Sequence, residues 1–458
     1  MLATHTLRAR LGDLSRALTG GPVRPGEAPL VRAPLPFLGH ALAVGRDLRA
    51  LLRDCQRAHG DVFTLLVAGQ RMTFVLDPFS YPHVLKAQGD LSFHELGEQF
   101  GQRAFGFESL PPGPDVDELY AAFSTHLKGA ALTPLSERLE SRLRAVFARA
   151  AGPAWRDESL YMFTARSIFT AGQEVLFGDG AGDEACLADF LRLDRWFTAL
   201  AAGIPIAALP GVRRALNGLV DRVGVLRPDM SPFIRARVDA LDRMTPPRNR
   251  DHHEVAILWA AQANTLPAAF WSLAYLLRHP QARAEVTAEV RQRGLGDLKQ
   301  LVKLQSSVSE ALRLSSGALT LRLALRDCDL TLESGRTFAL RAGDRVALCP
   351  NVTHYDPDIF ADPDTYRFDR FLADGGPRQF FKHGKRVPIP LMPYGGGVSM
   401  CPGRFLANNE VMQFVALALT ELDLELLGPA LPPFDNARAG LGVLPPKGDV
   451  RCRLRRRG

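Results

Sequence analysis

Pro393-Tyr394-Gly395-Gly396-Gly397-Val398-Ser399-Met400-Cys401-Pro402-Gly403-Arg404-Phe405-Leu406-Ala407 puts one cysteine at the end of a glycine-rich loop, just before a long helical pattern. A helix start offers unpaired backbone N–H groups and the positive end of the macrodipole, and both favour a thiolate. Glycine lets the loop backbone come close to a flat partner, and Pro402 suits the first helical position, where no N–H is missed. Two other readings are weaker. A phosphate cradle would need the Lys-Ser/Thr pair of a P-loop and a strand before it. A buried structural thiol is the default for a lone cysteine, but it has no need of these glycines.

Upstream, Glu310-Ala311-Leu312-Arg313 sets a carboxylate and a guanidinium one turn apart on a helix. Tyr366-Arg367-Phe368-Asp369-Arg370-Phe371 supplies a further arginine in a loop. One buried carboxylate shared by two guanidinium forks would fix the cysteine loop through charge-assisted hydrogen bonds. A helical pattern from about Glu254 to Leu277 contains Trp259-Ala260-Ala261-Gln262-Ala263-Asn264-Thr265-Leu266-Pro267-Ala268. Pro267 has no N–H for the carbonyl of Ala263, so a kink with a free carbonyl and a widened groove is expected there. A cysteinate held as above is a good axial ligand for haem iron, where it favours O–O cleavage. The groove would then hold dioxygen and water.

The pattern aromatic-Gly-x-Gly-x-x-x-Cys-x-Gly, the Glu-x-x-Arg and the later Arg-Phe resemble the cytochrome P450 family. The run from Gln262 to Ala268, Leu312-Arg313-Leu314-Ser315-Ser316, and Phe197-Thr198-Ala199-Leu200-Ala201-Ala202-Gly203-Ile204-Pro205 resemble its branch of bile-acid sterol hydroxylases and prostacyclin synthase. The resemblance implies a mainly α fold with a small β-rich lobe and haem b bound by Cys401. Tyr394, Gly395 and Gly403 would shape the cofactor loop, and Glu310, Arg313 and Arg370 would form a structural triad behind it. Arg322 matches an arginine that contacts a haem propionate. The usual Trp-x-x-x-Arg is replaced by Phe123-Ser124-Thr125-His126-Leu127-Lys128, which leaves Lys128 or His126 for the second cation. Ser399 stands where Arg or His is common. Most members carry an acid and then Thr in the kinked helix; here those positions are Ala263 and Asn264, with Thr265 one place on. An Asn amide both donates and accepts, so Asn264 could anchor a water chain or orient a substrate oxygen.

The 458 residues, 46% of them hydrophobic, carry no linker, repeat or low-complexity tract, so a single domain over 1–458 is expected. Residues 20–90 and 319–350 would give its β-rich part, including a hairpin through Ala68-Gly69-Gln70. Residues 115–300 and 400–422 would be helical. Six scattered cysteines (Cys55, Cys186, Cys328, Cys349, Cys401, Cys452) form no CxxC pair and read as reduced thiols. Met1–Pro22 contains Arg8, Arg10, Asp13 and Arg16, and so cannot supply the roughly 20 uninterrupted apolar residues of a spanning helix. Net charge is +7, but its basic residues are dispersed except in Arg451-Cys452-Arg453-Leu454-Arg455-Arg456-Arg457, which argues against nucleic acid. Phe190 to Pro210 is apolar enough for core or for a substrate-entry lid. His252-His253 at a helix start reads as capping or solvated.

These readings lead to a soluble, cytoplasmic, monomeric and bacterial monooxygenase that hydroxylates a bulky lipophilic substrate, a steroid, terpenoid or polyketide. Electrons would come from a ferredoxin or flavodoxin docking near Lys382, Lys385, Arg386 and Arg404. The runner-up is an electron-independent isomerase or dehydratase acting on a peroxide, as in prostacyclin synthase. A third reading, a haem-binding gas sensor or ligand carrier, would need an attached signalling domain to read out its state, and none is expected here.

Overall fold

A computed structural model describes residues 14–373 and 378–458; Arg8, Arg10 and Asp13 lie outside the described residues. Helix α1 (Ala41–His59) leads into the hairpin of β1 (Val62–Val67) and β2 (Gln70–Val75). Val67 pairs with Gln70, so the connection is two residues, one shorter than expected. Ala68 and Gly69 take φ of 49° and 75°, the positive values a two-residue turn requires to match strand twist.

The two β-rich stretches of sequence meet in one sheet. β2 runs parallel to β8 (Arg345–Leu348), which pairs antiparallel with β5 (Thr320–Ala324), which in turn pairs with β3 (Leu91–Ser92). The hairpin of β6 (Cys328–Thr331) and β7 (Thr337–Leu340) lies beside it in sequence.

The helical body contains α2 (Leu132–Ala150), α3 (Leu160–Phe177), α4 (Pro247–Gln262), α5 (Thr265–Arg278), α6 (Val302–Ser315) and α7 (Arg404–Glu421). Every residue of α5 from Thr265 to Ala274 is buried. A helix apolar on all sides belongs in the centre of a body, and α5 packs against α3, α6 and α7.

Two further local expectations are corrected, and one stretch left without structure is resolved. The single kinked helix over Glu254–Leu277 is two helices that meet at Ala263-Asn264. Pro267 removes a donor from the first turn of α5, and the Ala268 N–H bonds the Asn264 carbonyl at 3.1 Å, so the chain restarts rather than bends. Helix α7 begins at Arg404, with Gly403 as its N-cap, so Pro402 sits in the preceding turn. The dense basic tail is a strand, β12 (Arg451–Arg456), paired with β11 (Leu422–Leu426) and β4 (Arg156–Ser159). Cys452 and Leu454 face inward, while Arg451 pairs with Asp157 at 2.7 Å and Arg455 with Asp423 at 2.9 Å. Among the described residues no helix is long and apolar enough to cross a membrane.

Candidate functional site

The cysteine loop closes on itself through the Cys401 N–H, which donates to the Tyr394 carbonyl at 2.9 Å. Gly395 and Gly397 take φ of 70° and 67°. A Cβ on Gly396 would lie 2.7 Å from the Leu85 side chain, so this close approach requires glycine. Burial raises the Cys401 thiol above its ordinary range, against the backbone N–H groups of Gly403 and Arg404 and the Arg404 charge. The helix start therefore favours the thiolate as expected, but burial outweighs it, and bound iron would have to displace the proton. Tyr394 is pushed up as well, first by burial and then by the neighbouring Cys401.

Arg322 gives the test of whether haem fits. It is 3% exposed, and its Nη2 donates to the Gly396 carbonyl of the cysteine loop at 2.9 Å. Its Nη1 donates to the Leu321 carbonyl, and no carboxylate pairs with it among the described residues. Burial lowers its pKa. A buried guanidinium with no counter-ion is costly, and a haem propionate at this position would relieve that cost. His126 is half-buried and Lys128 exposed; neither makes a hydrogen bond or ion pair among the described residues, so geometry does not single out the second cation.

Behind the loop, Glu310, Arg313 and Arg370 come together, each at least 96% buried. Glu310 Oε2 accepts from Arg313 Nε at 2.7 Å, and Oε1 accepts from Arg313 Nη2 at 2.9 Å and Arg370 Nε at 2.8 Å. Arg370 also donates to the carbonyls of Ala361 and Thr365. Arg313 reaches the His354 carbonyl, and His354 Nε2 accepts the Met392 N–H at 3.2 Å. Met392 opens the cysteine loop, so this chain of bonds carries the triad's rigidity to Cys401. Nothing in the sequence marks His354. Burial lowers its pKa to about 3, which keeps the ring neutral and able to accept.

On the opposite side, Ala263 is buried at the break between α4 and α5. Asn264 Oδ1 accepts the Val443 N–H at 3.0 Å and Arg438 Nη1 at 3.4 Å. Two donors facing one atom fix it as the oxygen, so the amide keeps only its N–H donors. Arg438 in turn meets Asp194 at 3.2 Å, and Asp194 accepts from Trp259 Nε1 at 2.9 Å. A Cβ on Gly442 would fall 2.1 Å from Asn264 Oδ1. The Thr265 hydroxyl donates to the Ala261 carbonyl at 2.7 Å. An Asn264 free to both donate and accept and a spare Thr265 hydroxyl are thus both corrected, because partners in the backbone and the C-terminal loop have taken them.

The apolar segment is divided between core and surface. Phe190, Leu193, Phe197 and Leu200 are buried, and Phe197 stacks on Trp259 with centroids 3.8 Å apart. Most of the stretch from Ala202 to Pro210 is exposed, Ile204 by 44%. His253 lies stacked on Phe107 and bonded to the Glu108 carbonyl, and burial lowers its pKa to about 4. Lys382 pairs with Asp356 at 2.7 Å and Lys385 with Glu333, which leaves Arg386 and Arg404 with less of their charge satisfied on that face.

A cysteine behind glycine hinges, a buried arginine in want of an anion, and a braced loop define a haem-thiolate protein. Residues 251–452 match the family model described as Cytochrome P450. The chain is 34% identical to the 5-beta-cholestane-3-alpha,7-alpha-diol 12-alpha-hydroxylase of Sus scrofa, over 95% of this chain and 94% of that protein. It is 34% identical to Cytochrome P450 7A1 of Rattus norvegicus over 93% of each. Identity is also 34% to the 7-alpha-hydroxycholest-4-en-3-one 12-alpha-hydroxylase of Homo sapiens, over 94% of this chain and 93% of that protein. The chain belongs to the cytochrome P450 family. It is an oxidoreductase whose cofactor is cysteinate-bound haem iron. These relatives are mammalian and lend no support to a bacterial origin.

Proposed function

We propose that this enzyme hydroxylates a steroid-class substrate at an unactivated C–H bond, using dioxygen and externally supplied electrons. The observation that carries the reading is similarity along nearly the whole chain to proteins named as sterol hydroxylases. The terpenoid and polyketide readings have no such support. Nor do these names favour rearrangement of a peroxide without electrons, the alternative suggested by Ala263-Asn264.

Bound haem supplies dioxygen activation at its thiolate-ligated iron. Cys401 holds the iron, Arg322 pairs with a propionate, and the Glu310–Arg313–Arg370 cluster keeps the loop from yielding. Asn264, tied to Arg438 and Val443, presents its remaining N–H to an oxygen of the substrate. Electron delivery by an acidic ferredoxin or flavodoxin would use Arg386 and Arg404 on the cysteine-loop face.

The test is a panel of sterols, terpenoids and fatty acids added to haem-loaded protein, followed first by the visible spectrum and then by product mass. Sterols should perturb the spectrum saturably and gain one oxygen only when electrons are supplied. Oxidation of fatty acids or terpenoids with sterols left untouched would overturn the assignment.

A further inference from the structure

We propose, on the steroid reading above, that Arg345 and Arg103 form a subsite for the acidic group of an anionic sterol, a carboxylate or sulfate. Strand β8 places Arg345. In its antiparallel pairing with β5, Val346 lies opposite Arg322 and Arg345 opposite Leu323. Opposed residues share a face of a sheet, and neighbours along a strand alternate between faces. Arg345 therefore points away from the face on which Arg322 meets the cysteine loop, so it is no candidate for a second haem anchor.

The side chain is half-buried, and its Nε is sealed from solvent with no partner. Among the described residues Arg345 makes no side-chain hydrogen bond and no ion pair. A sealed donor without an acceptor is costly, and a guanidinium without a counter-ion adds to the cost. Its electrostatic surroundings sharpen the need. Burial is the first cause that lowers the Arg345 pKa, the charge of Arg103 lowers it further, and no acidic residue opposes them. Two cations held near each other without an anion are completed by a ligand that brings one, and a guanidinium fork matches a carboxylate or a sulfate.

Arg103 stands on the helix His94–Phe105, which packs against β5 and against the short helix Phe197–Ala201. Its Nη1 donates to the Ala201 carbonyl at 3.1 Å, and a Cβ on Gly203 would lie 3.9 Å from the guanidinium. The exposed stretch that begins at Ala202 thus borders the pair. The acids of the same helix are engaged elsewhere: Glu95 is lowered first by the Ser92 hydroxyl, and Glu98 acts on Tyr120. Inward from Arg103, the Phe105 ring lies 5.7 Å from both Phe197 and Trp259, and Trp259 stands on α4 just ahead of Asn264. Two cations, an aromatic layer and an amide donor follow one another in that order. A molecule with an acidic end, a flat apolar body and an oxygen at its far end would match all three.

Matched pairs of ligands, titrated against the visible spectrum of haem-loaded protein, test the subsite. One pair is a sterol carboxylic acid and its methyl ester; the other is a sterol sulfate and its free alcohol. In the wild type at least one anion should bind about 10-fold or more tightly than its neutral partner, the value of a charge-assisted hydrogen bond. That gain should shrink as salt is raised. Arg345→Met should abolish it, with haem content and affinity for the neutral partner as in the wild type, and Arg345→Lys should keep part of it. Equal affinities within both pairs, or a gain that survives in Arg345→Met, would overturn the subsite and leave the steroid reading standing. Failure of every sterol to bind, charged or neutral, would sink the steroid reading and the subsite together. Binding of a fatty acid alone, lost in Arg345→Met, would sink the steroid reading and keep the anion subsite.

Discussion

Asn264 shows how much a single side chain's chemistry depends on partners remote in sequence. Its residue type could be read as relay or as anchor. The choice is made by Arg438 and Val443, 174 and 179 positions away, and no local pattern announces them. Asn264→Asp keeps the two accepted bonds and removes the N–H donor. It should leave thermal stability almost unchanged and weaken binding of the best sterol by about 2- to 10-fold, the value of one neutral hydrogen bond. Equal sterol affinity in the variant and wild type would contradict the donor role. Arg322 was legible through its surroundings in the sequence, but its lack of a counter-ion was not. Arg322→Met removes an uncompensated buried charge and should raise the melting temperature of haem-free protein. The same change should weaken haem retention by roughly 10-fold or more, since charge-assisted bonds contribute about 1.5–3 kcal/mol. Calorimetry and haem-transfer rates read the two effects separately, and the opposite signs are the signature.

At the level of elements, spacing revealed the Glu-x-x-Arg turn because both residues lie on one helix face. The link onward to Met392 through His354 was hidden, because it is made by a backbone carbonyl and a ring nitrogen. Removing the shared carboxylate by Glu310→Ala strands two buried guanidinium groups. That should destabilise the fold by about 3–5 kcal/mol, seen as a lower denaturation midpoint with loss of haem. A loss under about 1 kcal/mol would mean the pairs are not the brace described. The start of α7 at Arg404 was legible to within two residues, whereas the boundary at Gln262 was not, because Pro267 can bend one helix or open a second. Strand β12 was the larger omission. Its Arg-Cys-Arg-Leu alternation carried the period-2 signal of a half-buried strand, but the density of charge drew attention first.

For the molecule as a whole, the two β-rich stretches were evident, but not that β2 and β8 lie side by side. That pairing joins residues 273 positions apart and is settled only by packing against the helical body. Burial also gives the whole molecule a characteristic stability profile. His354 is held near pKa 3 when folded against about 6.5 unfolded. Below pH 6.5 the unfolded chain binds the extra proton, so stability falls with acid, by up to about 1.4 kcal/mol per pH unit down to pH 3. Glu410, held near 8 when folded, works in the other direction: its contribution is complete below the ordinary carboxylate range and is lost as pH rises through 8. Denaturant titrations from pH 4 to 9 should therefore show Glu410→Gln gaining on wild type steadily as pH rises. A constant difference across that range would refute the raised pKa.

The most direct measurement supplies haem-loaded enzyme, an electron donor system, a sterol that perturbs its spectrum, and isotopically labelled dioxygen, with the product weighed. A sterol carrying one labelled oxygen, formed only with electrons and not at all by Cys401→Ser, is the predicted result. An unlabelled or rearranged product, or one formed from a peroxide without electrons, would contradict a cysteinate-haem monooxygenase.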